Sequence, residues 1–381
     1  MTINNEHKKL NFSNEREQSQ TCLNSAEHEK NQGRKVLNVP NLRFKEFEGE
    51  WVGKTIGDIA PLQRGFDLPT GQINNGKFPV VYSNGIMNYH SSYKCVAPGL
   101  ITGRSGTIGK FTYIEDGYYW PHNTSLWVTN FYDNNPKFIY YLFQTIRIGQ
   151  YSTGSGVPTL NRNNVHRHQT FIPKLEEQKE IATFLSLLDE RIATQNKIID
   201  KLQSLIKGIR NKLFENDKDW RKAKIREFLC IGNGKDYKHL DVGDIPVYGT
   251  GGKMLSVNDF LYDGDSVCIG RKGTIDTPLF LTGKFWTVDT LFYTYGFKDV
   301  LPKFCYYLFK QINWQLYNEG TGVPSLSKST IENIKVRIPS IVQQYKICYI
   351  LDSYEDKIKN EGLILDLYCS QKQYLLRQMF V

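Results

Sequence analysis

Two arginines stand in nearly identical glycine loops, Gly103-Arg104-Ser105-Gly106-Thr107-Ile108 and Gly270-Arg271-Lys272-Gly273-Thr274-Ile275. Flanking glycines let a backbone approach a ligand closely, and an arginine between them projects a rigid fork of donors. That combination suits a phosphate or the acceptor edge of a guanine, which makes Arg104 and Arg271 the first candidate contacts. The plain alternative is a hairpin turn whose arginine is only solvated. A second motif also occurs twice, as Gly154-Ser155-Gly156-Val157-Pro158-Thr159-Leu160 and Gly320-Thr321-Gly322-Val323-Pro324-Ser325-Leu326. Ser155 and Thr321 can contact phosphate from these loops, or the loops are proline-bearing turns that position the next element.

Other chemistry is sparse. The chain has no phosphate loop of the G-x-x-x-x-G-K-[ST] kind, no H-E-x-x-H helix and no G-x-S-x-G elbow. His166 and His168 fall in a basic stretch, Arg162-Asn163-Asn164-Val165-His166-Arg167-His168, that only the first copy carries. With no matching cysteine or carboxylate cluster, they read as surface or phosphate-side residues rather than metal ligands. The cysteines at 22, 95, 230, 268, 305, 348 and 369 are never spaced as C-x-x-C. That pattern indicates neither a zinc cage nor a disulfide framework, and it fits a reducing cytoplasm.

The loops are part of a longer repeat. Residues 79–214 recur as a degenerate copy at 246–380, with a spacing of about 166 to 167 residues throughout. In a chain of 381 residues this predicts two similar globular units. A formal charge of +9 and a pI near 9.0 suit a polyanionic partner without demanding one. No run of about 18 apolar residues and no signal-peptide core is present, so neither a membrane span nor secretion is expected.

Residues 1–37 are too polar to bury a core and read as a disordered tail. A first unit is expected over 38–175, opened by Trp51 and Lys54-Thr55-Ile56-Gly57-Asp58-Ile59, and a second over 216–340, opened by Trp220 and Lys224-Ile225-Arg226-Glu227-Phe228. Short β-branched and aromatic runs punctuated by Gly, Asn and Asp predict a curved sheet in each. Short helices are expected from Pro136 to Thr145 and from Pro302 to Gln311, with proline at the first turn. The repeated Tyr140-Tyr141 and Tyr306-Tyr307 within them read as core.

After Ile172-Pro173 the period becomes 3.5. Ile181, Leu185, Leu188, Ile192, Gln195, Ile199, Leu202, Ile206, Ile209 and Leu213 step by four and three without a break, the a/d seam of a coiled coil. After Ile338-Pro339 the same frame runs through Ile347, Leu351, Tyr354, Ile358, Glu361, Leu365, Tyr368, Lys372, Leu375 and Met379. Helices over 176–215 and 341–381 would each span roughly 58 Å. An apolar seam of that length needs a partner, and short connections favour pairing the two helices antiparallel within the chain. Gln195 and Glu361 are the polar seam positions suited to fixing register.

The ordered set occurs twice: a Trp and a Lys-Ile-Gly-Asp-like opening, the Gly-Arg loop, the Gly-Val-Pro loop, then Ile-Pro with a Gln five residues after the proline and a long helix. From about residue 39 onward this resembles the DNA-specificity subunit of type I restriction-modification enzymes. The resemblance implies an α+β architecture, with two mixed α/β target recognition domains separated by two long antiparallel coiled-coil helices in a pseudo-twofold internal repeat. It implies that each domain reads one half of a bipartite, asymmetric site on double-stranded DNA. The helices would space the domains and dock methyltransferase subunits, and a nuclease and translocase subunit would complete the assembly. S-adenosylmethionine, ATP and magnesium would belong to those partners, and this chain would bind no cofactor and perform no catalysis. Asn134-Asn135-Pro136-Lys137-Phe138 is only superficially similar to the Asn-Pro-Pro-aromatic signature of adenine methyltransferases, since it lacks the second proline.

If the halves read different sequences, groups shared by both copies should hold phosphate or the fold, and groups that differ should read bases. Arg104/Arg271 and Thr107/Thr274 are then positioning candidates. Ser105 against Lys272 and Asn123 against Asp289 are specificity candidates, Asn suiting adenine and Asp cytosine. Ser83-Asn84-Gly85 and Tyr248-Gly249-Thr250 end corresponding strands and have similar standing. Ordinary loop chemistry is the alternative for each pair. A tandem-repeat interaction scaffold without DNA binding is the competing function.

Overall fold

The structure, a computed structural model, describes residues 38–153, 156–215 and 219–381. The expected tail at 1–37 and the candidate Ser155 lie outside the described residues. The chain divides into two compact units, the first running to Ala193 and taking in Asp366–Val381, the second comprising Thr194–Leu365.

The first unit contains β1 (Val52–Thr55), α1 (Ile56–Ile59), β2 (Leu62–Arg64), β3 (Phe78–Tyr82), β4 (Gly85–His90), β5 (Cys95–Val96), β6 (Gly99–Gly103), β7 (Phe111–Ile114), β8 (Tyr118–Pro121) and β9 (Ser125–Val128). There follow α2 (Pro136–Thr145), β10 (Ser152–Thr153), β11 (Thr159–Leu160), α3 (Arg162–His166), β12 (Gln169–Ile172) and the start of α4 (Leu175–Phe214). Two four-stranded sheets form, in the orders β2-β9-β6-β7 and β4-β3-β8-β5. Of the named strands in these sheets, β3 and β8 pair in parallel, and a parallel bridge joins Phe66 to His122 beside them. β1 closes antiparallel on β12, which brings the start of the unit to the foot of α4.

Local sequence explains the helix starts. Thr55 and Asp58 form a reciprocal capping box at α1. Hydrogen bonds from Thr55 hold the Asp58 carboxyl below the usual range. Asn135 caps α2 by accepting from the Phe138 amide at 2.9 Å, with Pro136 at the first position. The Asn134-Asn135-Pro136 run is thus a helix start, with the Asn134 side chain bonded to Gln178 and to the Phe131 carbonyl. Tyr141 is fully buried and donates to Asp189 at 2.8 Å, so the repeated tyrosine serves the core.

The second unit repeats this order. The remainder of α4 leads to β13 (Arg221–Lys224), β14 (Cys230–Asn233), β15 (Val242–Gly249), β16 (Gly252–Val257), β17 (Tyr262–Asp263), β18 (Ser266–Gly270), β19 (Leu279–Leu281), β20 (Lys284–Thr287) and β21 (Leu291–Tyr295). α5 (Pro302–Phe309), α6 (Lys328–Asn333), β22 (Lys335–Ile338) and α7 (Ile341–Gln378) complete the chain. The sheets are β14-β21-β18-β19 and β16-β15-β20-β17, with β13 paired to β22, strand for strand the arrangement of the first unit.

Each long helix is locked to its unit by a buried glutamine. Gln178 donates to the Pro173 carbonyl at 3.0 Å and accepts from the Asn135 amide at 2.9 Å. Gln344 donates to Pro339 at 3.0 Å and accepts from the Leu301 amide at 2.8 Å. A buried amide with its groups satisfied is stiff, so it fixes the helix base to the domain.

All the seam residues are buried or half-buried, while most positions between them are exposed. In the first unit Ile181, Leu185 and Leu188 share a core with Leu375, Met379 and Phe380, and Lys372 reaches Asp189 at 2.6 Å. In the second unit Ile206, Ile209 and Leu213 pack on the core that holds Ile347, Cys348 and Leu351. There Gln195 donates to the Glu361 carboxylate at 2.6 Å. Within this unit the early part of the α4 segment meets the late part of α7, and the end of α4 meets its beginning, so the two segments run antiparallel.

Candidate nucleic-acid interface

The two repeated loops, far apart in sequence, close on each other in both units. In the first, the Arg104 and Ser105 amides donate to the Thr124 carbonyl at 2.8 and 3.2 Å, the Leu160 amide donates to the Arg104 carbonyl at 2.6 Å, and Gly106 donates to Pro158 at 3.3 Å. In the second, Arg271 and Lys272 donate to Thr290 at 2.7 and 3.3 Å, Leu326 donates to Arg271 at 2.9 Å, and Gly273 donates to Pro324 at 2.9 Å. Ser105 bridges Thr159, and Lys272 bridges Ser325, in the same antiparallel sense. The backbone of each loop is thereby fixed, and its side chains are presented on a rigid frame.

The glycines serve that frame. A Cβ at Gly103 would collide with the Thr107 carbonyl oxygen, and one at Gly270 with that of Thr274. Gly106 and Gly273 have φ of +81° and +90°, the left-handed region that favours glycine. The expected close approach to a ligand is therefore not what requires these residues; the loop's own return strand is.

The predicted contacts fall into three groups. Arg104 is half-buried and donates to the Asn123 carbonyl at 3.1 Å, while the exposed Arg271 lies over the Phe292 ring, 6.0 Å from its centroid. Thr107, Thr274, Lys272, Asp289 and Thr321 are exposed, and Ser105 is half-buried. Beside Thr321, the Glu319 carboxyl is held below the usual range by hydrogen bonds from Thr330 and Ser327. The Asn123 side chain is already engaged, donating to the Asp67 carboxylate, which also accepts from Arg64 at 3.3 Å.

The match between the two hairpins needs correcting. Tyr82 faces Gly85 and Gly249 faces Gly252, so the two-residue turns are Ser83-Asn84 and Thr250-Gly251. Ser83 therefore corresponds to Thr250, and Tyr248 lies inside β15, paired with Lys253 and half-buried. The turns share no residue type, and strand register fixes the alignment, in agreement with the 167-residue offset from Gly103 to Gly270. Ser83 and Thr250 each place a hydroxyl over the glycine loop, 3.8 Å from a Cβ built at Gly106 and 3.7 Å from one built at Gly273. Lys110 clamps the first turn by donating to the Asn84 carbonyl at 2.6 Å.

His166 and His168 are also not where the sequence put them. His166 Nε2 accepts from the Leu62 amide at 2.8 Å, and His168 Nδ1 lies 2.7 Å from the Tyr151 hydroxyl. Burial pulls both below the ordinary histidine value, as it does His122, whose ring packs 4.2 Å from that of Tyr82. These are internal braces of the first unit. What the motifs missed is a cleft of about 600 Å³ beside Arg104, lined also by Arg64, Asp67 and Arg162. Nothing in local spacing ties residues 64, 104 and 162 together; the sheet does. Among the described residues no group of three or more His, Cys, Asp or Glu could hold a metal ion, and no helix is long and apolar enough to cross a membrane.

In its two four-stranded sheets and its closing strand pair, the chain is a tandem repeat of a mixed α/β unit that presents one braced, arginine-bearing loop pair per copy. The type I restriction modification DNA specificity domain matches residues 48–204 and again 217–366, and the chain belongs to that family. A Haemophilus influenzae protein provisionally named a type I restriction enzyme specificity subunit is 23% identical over 363 residues, covering 86% of this chain and 93% of that one. The MjaVIII specificity subunit of Methanocaldococcus jannaschii is 24% identical over 282 residues, 58% of this chain and 64% of that one. Among solved structures, the fold is shared with the type I restriction-modification S subunit of M. genitalium, with a TM-score of 0.63, 19% identity, and coverage of 90% of this chain and 99% of that one. This chain therefore has the DNA-specificity role of a type I restriction-modification system.

Proposed function

We propose that each unit reads one half of a bipartite, asymmetric DNA site and that α4 and α7 form an antiparallel coiled-coil spacer between them. The observation that carries this is the paired loop: its backbone is held identically in both units, while matched side chains on it differ, Ser105 against Lys272 and Asn123 against Asp289. Shared geometry supplies positioning, and unlike side chains supply two different readings. On this division Arg104, Arg271, Thr107 and Thr274 position the duplex, with Ser83, Asn84, Thr250, Ser155 and Thr321 as further candidate contacts.

Under the same reading the helices dock methyltransferase subunits, and a nuclease and translocase subunit joins the assembly in the cytoplasm. S-adenosylmethionine, ATP and magnesium act on those partners, and the chain alone neither methylates nor cuts. Family membership does not favour an interaction scaffold without DNA affinity. The test is selection of bound duplexes from a randomised library, using the subunit with its methyltransferase partner. A two-part motif is expected, and replacing residues 39–175 with another recognition unit should change one half only. No sequence preference, or a change in both halves, overturns the proposal.

A further inference from the structure

The cleft beside Arg104 gathers three guanidinium groups from three separate elements: Arg64 at the end of β2, Arg104 in the loop after β6, and Arg162 at the start of α3. One carboxylate, Asp67, faces them, and it is shared between Arg64 and Asn123. Among the described residues Arg162 has no ion-pair partner, so the cleft keeps an excess of positive charge. An anion would relieve that repulsion, and two forks at a cavity edge suit an oxyanion.

The second unit supports a nucleic-acid source for that anion. Arg64 pairs with Leu126 in register, as Asn233 does with Phe292; Gly65 donates to Ser125 as Gly234 does to Leu291; and Phe66 donates to Pro121 as Lys235 does to Thr287. Leu160 and Leu326 donate alike to the two loop arginines, so the next helix begins with Arg162 in one unit and Lys328 in the other. The positions of Arg104 and Arg162 are thus cationic in both copies, as Arg271 and Lys328, the latter within 3.7 Å of Glu332. The third cation is displaced: Arg64 is replaced by Asn233, and Phe66 by Lys235.

We propose that this cleft grips a DNA backbone phosphate through Arg104 and Arg162, and through Arg271 and Lys328 in the second unit, while positions 64/233 and 66/235 at its rim contribute to base choice. This rests on the half-site reading above. Two retained cations match what a sequence-independent phosphate needs, and a cation moved by two residues is what two different half-sites need.

The experiment measures duplex binding by the subunit with its methyltransferase partner, using the motif selected for the wild type. Arg162→Ala should weaken binding about tenfold at every sequence and make the salt slope shallower by about one. Arg162→Lys should keep the slope. Arg64→Asn, which installs the second unit's residue at an exposed site, should alter preference in one half-site and leave the other intact. Inorganic phosphate should compete no better than chloride at equal ionic strength; stronger competition would assign the cleft to a small phosphate ligand and overturn the proposal. Wild-type affinity and slope in Arg162→Ala, or unchanged preference in Arg64→Asn, would also overturn it. A wild-type complex with no two-part motif would instead remove the half-site reading itself. Thermal midpoints equal to wild type separate loss of contact from loss of fold.

Discussion

Gln195 donates twice to Glu361, to its carboxylate at 2.6 Å and to its backbone carbonyl at 3.0 Å. Both residues occupy seam positions otherwise filled, apart from Lys372, by Ile, Leu, Tyr and Met, and Gln195 is buried. A hydrogen bond to a charged group is worth about 1.5–3 kcal/mol, and its loss leaves a half-buried carboxylate without its donor. Gln195→Ala should therefore destabilise the second unit by about that amount in urea titrations. Replacing both residues with Leu should recover the loss but broaden the amide resonances of α7, since the polar pair selects one register. A Gln195→Ala variant within about 0.5 kcal/mol of wild type would remove the pair from that role.

Gln344 does for α7 what Gln178 does for α4. It is fully buried, and its removal leaves the Pro339 carbonyl and Leu301 amide unpaired. Each unsatisfied buried group costs about 1–3 kcal/mol, so Gln344→Leu should lower stability by about 2–6 kcal/mol. Hydrogen exchange at the Leu301 amide should quicken more than at Val247, in the core of β15. Equal protection in variant and wild type would show that the base of α7 is held by packing alone.

A 3.5-residue spacing is local and periodic and can be read without knowledge of tertiary structure, and the residues it picks out are buried or half-buried. The boundaries of α2 were legible for the same reason, from Asn135 and Pro136. The hairpin match could not be read from residue types, because Ser83-Asn84 and Thr250-Gly251 share none; strand register fixes it, in line with the 167-residue offset from Gly103 to Gly270. His166 looked like a surface base in a polar run, yet its ring is spent on the Leu62 amide, 104 residues away in sequence. The arginine cleft was hidden in the same way. Contacts built by sheet topology leave no spacing behind, so the loops could be found from sequence and their neighbours could not.

Gly103 and Gly106 meet different constraints, and substitution should separate them. Gly103→Ala forces a methyl into the Thr107 carbonyl, a backbone clash that no rotamer relieves. Gly106→Ala meets only the Ser83 hydroxyl at 3.8 Å, an ordinary contact, and adds only the cost of φ near +81°, about 1 kcal/mol. The first should cost about 2–3 kcal/mol in thermal unfolding, in the range of other overpacked sites, and should also weaken DNA binding by unclasping Pro158. Similar costs for the two would mean that the loop yields freely.

Three histidines with lowered proton affinity, His122, His166 and His168, all lie in the first unit. The unfolded chain takes up protons near the ordinary value of 6.5, whereas the folded unit resists them until lower pH. Across that window the unfolded state binds more protons, so stability rises with pH and is lost as pH falls below about 6.5. Calorimetry between pH 7.5 and about 5.5 should show the first unit's transition moving down in temperature. His166→Gln, which keeps an acceptor for the Leu62 amide but cannot titrate there, should flatten part of that slope. A slope unchanged in this variant would clear His166 of any share in it.

A spacer makes a geometric commitment. Removing residues 196–202 from α4 and 354–360 from α7 takes one heptad from each helix and leaves the a/d frame intact on both sides of the Gln195–Glu361 pair. At 1.5 Å per residue the rod shortens by about 10.5 Å, which on B-form DNA is about three base pairs. Three base pairs also turn the duplex by roughly 100°, given about 10.5 per helical turn, whereas seven helical residues leave the coil nearly in phase. The shortened protein should therefore select the same two half-sites with a smaller gap, and with weaker affinity because the duplex or the rod must twist to present both. Library selection reads the gap directly. An unchanged gap would mean that something other than these helices sets the distance, while altered half-sites at an altered gap would mean that the deletion had disturbed the recognition units themselves.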